Sequence, residues 1–346
     1  MIRFYCDYTT SAHPRILTRL QELADVQHAG YGTDDHCQRA AEYIRAACAA
    51  PDADVHFLVG GTQTNTTLIS AILRPHQGVV SADSGHIANR ETGAIESTGH
   101  KVLTLPTADG KLTAQMVRDT CEEHWSSPVC EHAVQPGMVY ISHPSECGTL
   151  YTKAELAALS EACKERGLPL MLDGARLGYG LAEGGADTDL TLQDIARLCD
   201  VFYIGGTKVG ALFGEAVVIT DPRLKPDFRY LIKRHGGLLA KGFLLGIQFE
   251  CLFEDDLYMQ ISRHGVGEAL RLRQGITDAG FSLRYEAGAN LLFPQLPDKL
   301  VEELEQTFTF ARGKKPDTAS TVVRFCTSWA TRSEDVDALI GALKRG

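Results

Sequence analysis

Two stretches decide the fold of this chain: LPLMLDGARLGYG at residues 168–180 and CDVFYIGGTKVGALFGEAVVI at residues 199–219. Each contains a short apolar run with the length of a buried strand. The first run stops at Asp173, and the second stops just before Thr207 and Lys208. Because ligands of α/β sheets bind at the carboxyl ends of the strands, this pattern predicts that Asp173 and Lys208 reach one edge of one sheet.

A lysine and an aspartate at such an edge need a chemical reason. A lysine at the end of a hydrophobic strand costs free energy unless it is paired or used covalently. A lysine that forms a Schiff base and an aspartate that pairs with a pyridinium nitrogen are the two protein groups required by an enzyme that uses pyridoxal 5'-phosphate (PLP). The pair Asp173 and Lys208 therefore indicates PLP as the cofactor.

The two stretches together resemble the PLP-dependent enzymes of fold type I, and specifically the threonine aldolases and the related β-eliminating lyases. The motifs LDGAR at residues 172–176 and GGTKVGALFG at residues 205–214 carry the resemblance. It implies an α/β fold with a mostly parallel central sheet flanked by helices, followed by a small C-terminal α+β domain. We expect the large PLP-binding domain, with the N-terminal segment, at residues 1–250 and the small domain at residues 251–346.

A glycine-rich turn supplies a candidate anion site. Residues 55–59 form a β-rich run, after which the turn leads into an apolar helix. A strand, a turn and a helix start present backbone N–H groups to an anion, although a simple helix cap explains the same residues. The dinucleotide fingerprint G-x-G-x-x-G is absent, which favours a single phosphate. The resemblance implies that Gly61, Thr62 and Gln63 hold the PLP phosphate and that Thr207 also contacts the cofactor.

Two histidines are candidates for proton transfer. By the resemblance, His86, in the pattern H-x4-E-x-G-A at residues 86–94, stacks on the PLP ring and keeps a nitrogen for proton chemistry. Glu91 either begins the next helix or orients His86. His132 resembles a second family histidine that handles the substrate hydroxyl. The cysteines and histidines of residues 121–132 match no zinc spacing, so we predict no metal site, and a surface excursion also explains them.

Two arginines are candidates for binding a substrate carboxylate. Arg324 lies in an apolar strand, where a guanidinium needs an anionic partner, either an internal acid or the α-carboxylate of a substrate. By the resemblance Arg176 is a second arginine of this kind, and Cys6 occupies the position of a serine that contacts the same carboxylate. Tyr31 lies in a glycine-rich loop, which either forms a plain turn or covers the site of a neighbouring subunit.

Charge and composition limit the classes of partner. A net charge of −10 argues against nucleic-acid binding, which calls for a basic face. No apolar run approaches the length of a membrane span, and the N-terminus does not read as a signal peptide. The ten cysteines are scattered, which fits reduced thiols inside a cell. We predict a cytoplasmic enzyme without nucleic-acid or membrane partners, and the family implies a homodimer or homotetramer with shared active sites.

The resemblance implies a carbon–carbon lyase that cleaves a β-hydroxy-α-amino acid, threonine or allo-threonine, to glycine and an aldehyde by retro-aldol chemistry. Lys208 would bind PLP covalently, and Asp173 would keep its ring nitrogen protonated. His86, His132 or a water molecule would take the hydroxyl proton. The alternatives are a PLP-dependent β-eliminating lyase or aminotransferase acting on another amino acid, a PLP-fold scaffold without activity, and a nucleotide-binding α/β protein.

Overall fold

The computed structural model of this chain describes residues 1–182 and 188–345. The strands of the described residues are β1 (Ile2–Arg3), β2 (Asp54–Leu58), β3 (Gln77–Ala82), β4 (Val102–Leu105), β5 (Gln135–Ser142), β6 (Leu170–Asp173), β7 (Val201–Gly205), β8 (Glu215–Ile219), β9 (Leu291–Leu292), β10 (Gln295–Pro297), β11 (Phe308–Thr309), β12 (Ala311–Arg312) and β13 (Ser320–Cys326). The helices are α1 (Pro14–Glu22), α2 (Asp35–Ala47), α3 (Gly61–Ile72), α4 (His86–Asn89), α5 (Ala114–Ser126), α6 (Lys153–Arg166), α7 (Leu177–Leu181), α8 (Leu192–Leu198), α9 (Phe228–Arg234), α10 (Phe243–Phe253), α11 (Leu257–Asp278), α12 (Asp298–Leu304) and α13 (Ser333–Leu343).

The central sheet has the strand order β2-β8-β7-β6-β5-β3-β4. Strands β3 to β7 run parallel, and β8 runs antiparallel to both of its neighbours, β2 and β7. Strands β6, β7 and β8 are buried along their whole length, as expected for a sheet that helices cover on both faces. The predicted α/β fold with a mostly parallel central sheet and flanking helices is confirmed.

The two faces of the central sheet pack against different helices. Because successive side chains of a strand point to opposite faces, Tyr203 and Val217 belong to one apolar cluster, and Phe202 and Val218 belong to another. The first cluster includes side chains of α3 and α9, and the second includes side chains of α2, α6 and α10. Asp173 ends β6 on the face that α3 and α9 cover, so the polar end of that strand lies on this face.

The C-terminal part of the chain has an apolar core of its own. Strand β13 pairs with β9, β10 and β12, and Phe325 packs in one cluster with side chains of α12 and α13. Helix α11, about 33 Å long at 1.5 Å per residue, joins the two cores, because Val266 packs in the central core and Leu272 in the C-terminal one. The boundary expected at residue 250 stays a prediction.

The N-terminal segment, assigned to the large domain from the sequence, packs with the C-terminal core. Strand β1 pairs in parallel with β11, and Phe4 is fully buried in the C-terminal cluster. The next residues of this segment then reach the edge of the central sheet, as described below. Across residues 1–182 and 188–345, none of the helices combines the length and the apolar composition that a bilayer crossing requires.

Candidate active site

A cavity of about 750 Å³ opens at the carboxyl ends of β6 and β7. It brings together eight of the residues that the sequence nominated, which are Gly61, Thr62, His86, Asp173, Arg176, Thr207, Lys208 and Arg324. These residues come from positions 61 to 324 of the chain. Most of them follow strands of the central sheet, whose parallel strands deliver their last residues to the same edge, whereas Arg324 comes from β13 of the C-terminal sheet.

Asp173 is buried at the end of β6 and accepts several hydrogen bonds. The Tyr140 hydroxyl donates to its Oδ2 atom, the backbone N–H of Ala175 donates to Oδ1 at 3.0 Å, and Asn65 Nδ2 donates to Oδ2 at 3.3 Å. Burial raises the pKa of Asp173, but the hydroxyl groups of Tyr140 and Tyr203 outweigh it and hold that pKa below its ordinary value. Asp173 is therefore a buried carboxylate, able to pair with a cationic ring nitrogen.

The hydrogen-bond partners of Asp173 are functional residues that sequence reasoning missed. Tyr140 and Tyr203 belong to apolar runs, where an aromatic residue indicates only a core position. The signal that could have found them is the period of two in a strand, since both lie on the same face of the sheet as Asp173.

The turn after β7 holds Lys208 against the start of β8. The backbone N–H groups of Gly206 and Thr207 both donate to the Gly214 carbonyl, at 3.0 and 3.1 Å, and Gly214 N–H donates to Thr207 Oγ1 at 3.0 Å. The Tyr179 hydroxyl donates to the Lys208 carbonyl at 2.8 Å. The backbone of Lys208 is thus fixed on both sides, and its side chain lines the cavity.

Helix α3 begins at the cavity with an open N-terminus. Gly60 precedes the helix and caps it with no side chain, and the N–H groups of a first turn have no intrahelical partner. The dipole and these N–H groups favour an anion. Gln63 is not part of the cavity lining, and its side chain donates to the His235 carbonyl at 3.1 Å and accepts from Val59 N–H at 3.3 Å.

His86 is held by a buried chain of polar groups. Its Nδ1 atom lies 2.8 Å from Glu91 Oε1, and Asn65 Nδ2 donates to the same oxygen at 2.7 Å and also reaches Asp173. Of the two roles considered for Glu91, this contact supports the orientation of His86. Burial lowers the pKa of His86, but the hydrogen bond to Glu91 and the negative charge of Glu146 outweigh it and raise that pKa above its usual value.

Arg176 is paired with a carboxylate that the sequence did not reveal. Its Nε and Nη2 atoms donate to the two oxygens of Asp7, at 2.7 and 3.2 Å, and Asn290 Nδ2 donates to Asp7 at 2.9 Å. Burial raises the pKa of Asp7, but the charges of Arg176 and Lys208 outweigh it and hold that pKa below its ordinary value. Two of the three guanidinium nitrogens of Arg176 donate to Asp7. These hydrogen bonds fix the orientation of the guanidinium group and therefore the position of its third nitrogen, Nη1.

Arg324 has a guanidinium with an unused donor. It lies on β13, and its Nη2 atom donates to the Tyr5 carbonyl at 3.0 Å. Its Nε atom is buried and finds no hydrogen-bond partner among the described residues. Buried donors are nearly always satisfied, so this atom indicates a ligand. A carboxylate in the cavity would satisfy Nε and would be bound in the bidentate geometry that guanidinium favours.

The structure places His132 outside the lining of this cavity, and its catalytic role stays a prediction. His132 is exposed in a short 3-10 turn just before β5, whereas the cavity lies at the carboxyl ends of the strands. The eight residues of β5 span about 26 Å at 3.3 Å per residue. His132 therefore lies near the amino end of β5, at the edge of the sheet opposite the cavity.

Two other nominated residues lie beside the cavity or away from it. Cys6 is buried and lines a separate cavity with Cys326, while its neighbours Tyr5 and Tyr8 line the main one. Tyr31 has a positive φ of 60°, is half-exposed, and stacks under Lys233 Nζ, which lies 5.0 Å from the ring centroid. Within residues 1–182 and 188–345 no cluster of three metal-ligating side chains forms.

Glu215 is a further residue of the cavity wall that sequence reasoning missed. It is the first residue of β8, it is buried, and its Oε2 atom accepts from Gly206 N–H at 3.1 Å. Burial raises the pKa of Glu215 to about 8, against the opposing effect of Lys208. The only signal in the sequence was one acidic residue at the start of an apolar run, GEAVVI at 214–219.

The strand order of the central sheet and the position of the cavity place this fold in the fold-type-I class of PLP-dependent enzymes. Solved structures of that class share the fold, among them a serine palmitoyltransferase with PLP, at a TM-score of 0.72 and 14% identity over 99% of this chain and 86% of that one. The family model described as beta-eliminating lyase matches residues 4–293, and the chain belongs to that family.

Two relatives with higher identity are threonine aldolases. The chain is 31% identical over 343 residues to a low specificity L-threonine aldolase of Pseudomonas aeruginosa, covering 97% of this chain and 95% of the relative. It is also similar to the solved threonine aldolase of Leishmania major, with a TM-score of 0.96 and 46% identity over 100% of this chain and 99% of that one.

Proposed function

We propose that this protein is a PLP-dependent aldolase that cleaves threonine or allo-threonine to glycine and an aldehyde. The observation that carries the proposal is the presence of Lys208 and Asp173 in one cavity, at the ends of the neighbouring strands β7 and β6. The threonine aldolases of Pseudomonas aeruginosa and Leishmania major, which match nearly the whole chain, support this choice of reaction.

The residues of the cavity fit PLP on four separate grounds. Lys208 offers an amine for the covalent bond, and Asp173 offers a buried carboxylate for the ring nitrogen. The open N-terminus of α3 offers N–H groups for the phosphate, and His86 offers an aromatic face. When bound, PLP supplies the electron sink for the bond broken at the substrate's α-carbon.

The two arginines fit the substrate carboxylate. Arg324 has a buried Nε atom without a partner, and Arg176 is held in place by Asp7. Binding by both would fix the orientation of the substrate's α-carbon and so select which of its bonds is presented for cleavage. Positioning of this kind lowers the barrier because orientation is established before the chemical step.

His86 is the base that we propose for the β-hydroxyl proton. His86 Nδ1 faces the Glu91 carboxyl group, which accepts its hydrogen bond. A neutral His86 therefore carries its proton on Nδ1, and its Nε2 atom is free to accept a proton. The buried Glu91 carboxylate then stabilises the imidazolium that forms. His132 of the same chain is not part of this proposal, because its position at the other end of β5 does not support a role there.

We also propose a homodimer or homotetramer with shared sites in the cytoplasm. The half-exposed Tyr31 lies away from the cavity of its own chain, so a role in covering a site requires a neighbouring subunit. All ten cysteines are free thiols, which supports a reducing compartment. Mixing Lys208→Ala subunits with Tyr31→Ala subunits should restore activity if the sites are shared, and no restoration would count against sharing.

The reaction is tested by incubating the PLP-loaded protein with threonine and with allo-threonine. We expect equal amounts of glycine and acetaldehyde from at least one of them. Ammonia and a keto acid would instead indicate β-elimination, and a keto acid without ammonia, formed only with an added amino-group acceptor, would indicate transamination. Either of those results would replace the aldolase proposal with the corresponding alternative.

A further inference from the structure

Glu146 is a carboxyl group of the cavity wall to which the proposed reaction gives no role. It follows β5, and it lines the cavity together with His86 and Arg176. The sheet order β6-β5-β3 places β5 between the strand that leads to Arg176 and the strand that leads to His86. Because the three strands are parallel, the turn that carries Glu146 lies between the segments that carry the other two residues.

The electrostatics of the site agree with this position. Burial lowers the pKa of His86, whereas the hydrogen bond to Glu91 and the charge of Glu146 raise it. Burial also lowers the pKa of Arg176, and the charges of Asp7 and Glu146 are among those that raise it. In the proposed reaction His86 faces the β-hydroxyl group of the substrate and Arg176 faces its α-carboxylate. The space between these two side chains therefore belongs to the substrate's β-carbon and the group attached to it.

A well-fastened turn presents Glu146 to the cavity. Gly148 N–H donates to the Ser145 carbonyl, and Ser145 N–H donates to the Thr149 carbonyl, both at 2.9 Å. The hydroxyl groups of Ser145 and Thr149 donate to the Asp109 carbonyl, at 3.1 and 2.8 Å. Gly148 has a positive φ of 77°, which a glycine adopts without strain. The backbone on both sides of Glu146 is thus fixed, which limits where its carboxylate can lie.

The carboxylate of Glu146 is left unused by the protein itself. Among the residues that the structure describes, no side-chain hydrogen bond and no ion pair reaches it, whereas Asp7, Asp173 and Glu91 of the same site all accept hydrogen bonds. The side chain is half-buried. A partly buried charge is screened less than an exposed one, so this carboxylate favours a positive group or a hydrogen-bond donor beside it.

We propose that Glu146 selects the substrate by the charge of the group attached to its β-carbon. The carboxylate attracts a β-substituent that carries a positive charge or a hydrogen-bond donor, and it repels a negatively charged one. The preferred substrates are then β-hydroxy-α-amino acids with a neutral or cationic β-substituent. This inference rests on the proposed cleavage reaction and adds the class of side chain that the site accepts.

Two cations of the cavity wall act in the opposite sense only weakly. Arg90 lines the cavity just after α4, but its side chain is exposed, so water and salt screen its charge. Arg312 is paired with Glu305, whose Oε2 atom lies 2.6 Å from its Nη2 atom. If Arg90 rather than Glu146 faced the β-substituent, the preference would be reversed and anionic substrates would be favoured.

The test compares substrates that differ in the charge of the β-substituent: 3-hydroxyaspartate, 3-hydroxynorvaline and 3-hydroxylysine. The kcat/KM for glycine release is measured with the PLP-loaded wild type and with Glu146→Gln, which keeps the size of the side chain and removes its charge. For a compound that binds without being cleaved, its inhibition constant against threonine replaces kcat/KM. Glu215→Gln is the matched control, because Glu215 is another carboxyl group of the same wall, but it accepts a hydrogen bond from Gly206 N–H in the Lys208 turn.

We expect the wild type to prefer 3-hydroxylysine to 3-hydroxyaspartate. Glu146→Gln should lower this ratio by about 10–100-fold, the range expected for one charge-assisted contact, and Glu146→Asp should keep the wild-type order. The ratio is the decisive quantity, because an effect of Glu146 on His86 alone would change the rates of all the substrates equally. A wild type without this preference, an unchanged ratio in Glu146→Gln, or an equal change in Glu215→Gln would overturn the proposal.

The outcome for Glu146 is separable from the outcome for the proposed function. If the wild type releases no glycine from threonine or from allo-threonine, the cleavage reaction itself is refuted. If it cleaves one of them and Glu146→Gln keeps the wild-type ratio, only the role of Glu146 is refuted. Circular dichroism checks that each variant is folded, and the preference of the wild type remains a test even if Glu146→Gln does not fold.

Discussion

The buried pair Asp7 and Arg176 gives the sharpest prediction about stability. Asp7 is fully buried, and it accepts two hydrogen bonds from Arg176 and one from Asn290. Replacing Asp7 by Asn keeps the shape but leaves the Arg176 guanidinium as an uncompensated charge. Breaking a buried ion pair by removing one partner typically costs about 3–5 kcal/mol.

The loss can be expressed as a melting temperature. Unfolding entropy of about 2.1 cal/mol/K per residue gives about 0.7 kcal/mol/K for 346 residues. Asp7→Asn should therefore lower the Tm by about 4–7 °C, measured by circular dichroism on cofactor-free protein at one protein concentration. The double variant Asp7→Asn with Arg176→Leu should regain part of that loss, because no unpaired charge remains.

Two results would refute the reasoning about this pair. One is an Asp7→Asn protein whose Tm stays within about 1 °C of the wild type, which is less than the loss of a single average hydrogen bond. The other is a double variant that loses the sum of both single effects. The folded-state pKa of Asp7 lies below its unfolded value, so its contribution is present above that unfolded value and is lost as the pH falls through the folded pKa.

Three further predictions concern the cavity. His86→Asn should lower turnover by about 10²–10⁴-fold and leave PLP binding detectable by absorbance, since it removes a proton-transfer group; unchanged turnover would exclude His86 as the base. Arg324→Lys should lower kcat/KM by about 10–100-fold, mostly through KM, because a bidentate contact is lost, whereas a kcat effect alone would contradict a binding role. Burial raises the folded pKa of Glu215 to about 8 from 4.5, so the contribution of this group to the free energy of unfolding should fall by about 1.4 kcal/mol per pH unit between these values. Urea titrations of the wild type and of Glu215→Gln at several pH values should differ by that slope, and parallel pH dependences would contradict it.

The sequence predicted which distant residues meet at the edge of the sheet. The end of a strand can be recognised from a few neighbouring residues, and the fold then determines where that end lies. Asp173 and Lys208 each follow an apolar run, and parallel strands carry both ends to one edge. The glycine-rich start of α3 was also predictable, because the strand, the turn and the helix that form it follow one another directly in the sequence. Arg324 was selected as an arginine inside an apolar strand, and the resemblance added the role of His86.

The partners of these residues could not be predicted, because they are set by packing between remote segments. Asp7 contacts Arg176 across 169 positions of the chain, and Asn65 reaches Asp173 across 108. Tyr140 has the sequence context of an ordinary core residue. His132 differs from these residues, because it precedes β5 and the rule that ligands bind at the carboxyl ends of parallel strands puts it at the opposite edge of the sheet from the cavity.

The most direct test of the account is the covalent chemistry of Lys208. PLP is added to the purified protein, the complex is reduced with borohydride, and the modified peptide is identified by mass spectrometry. The account predicts a yellow protein with one pyridoxyl group on Lys208, and a colourless Lys208→Ala protein with none. A label on another lysine, or a wild-type protein that takes up no PLP, would contradict it.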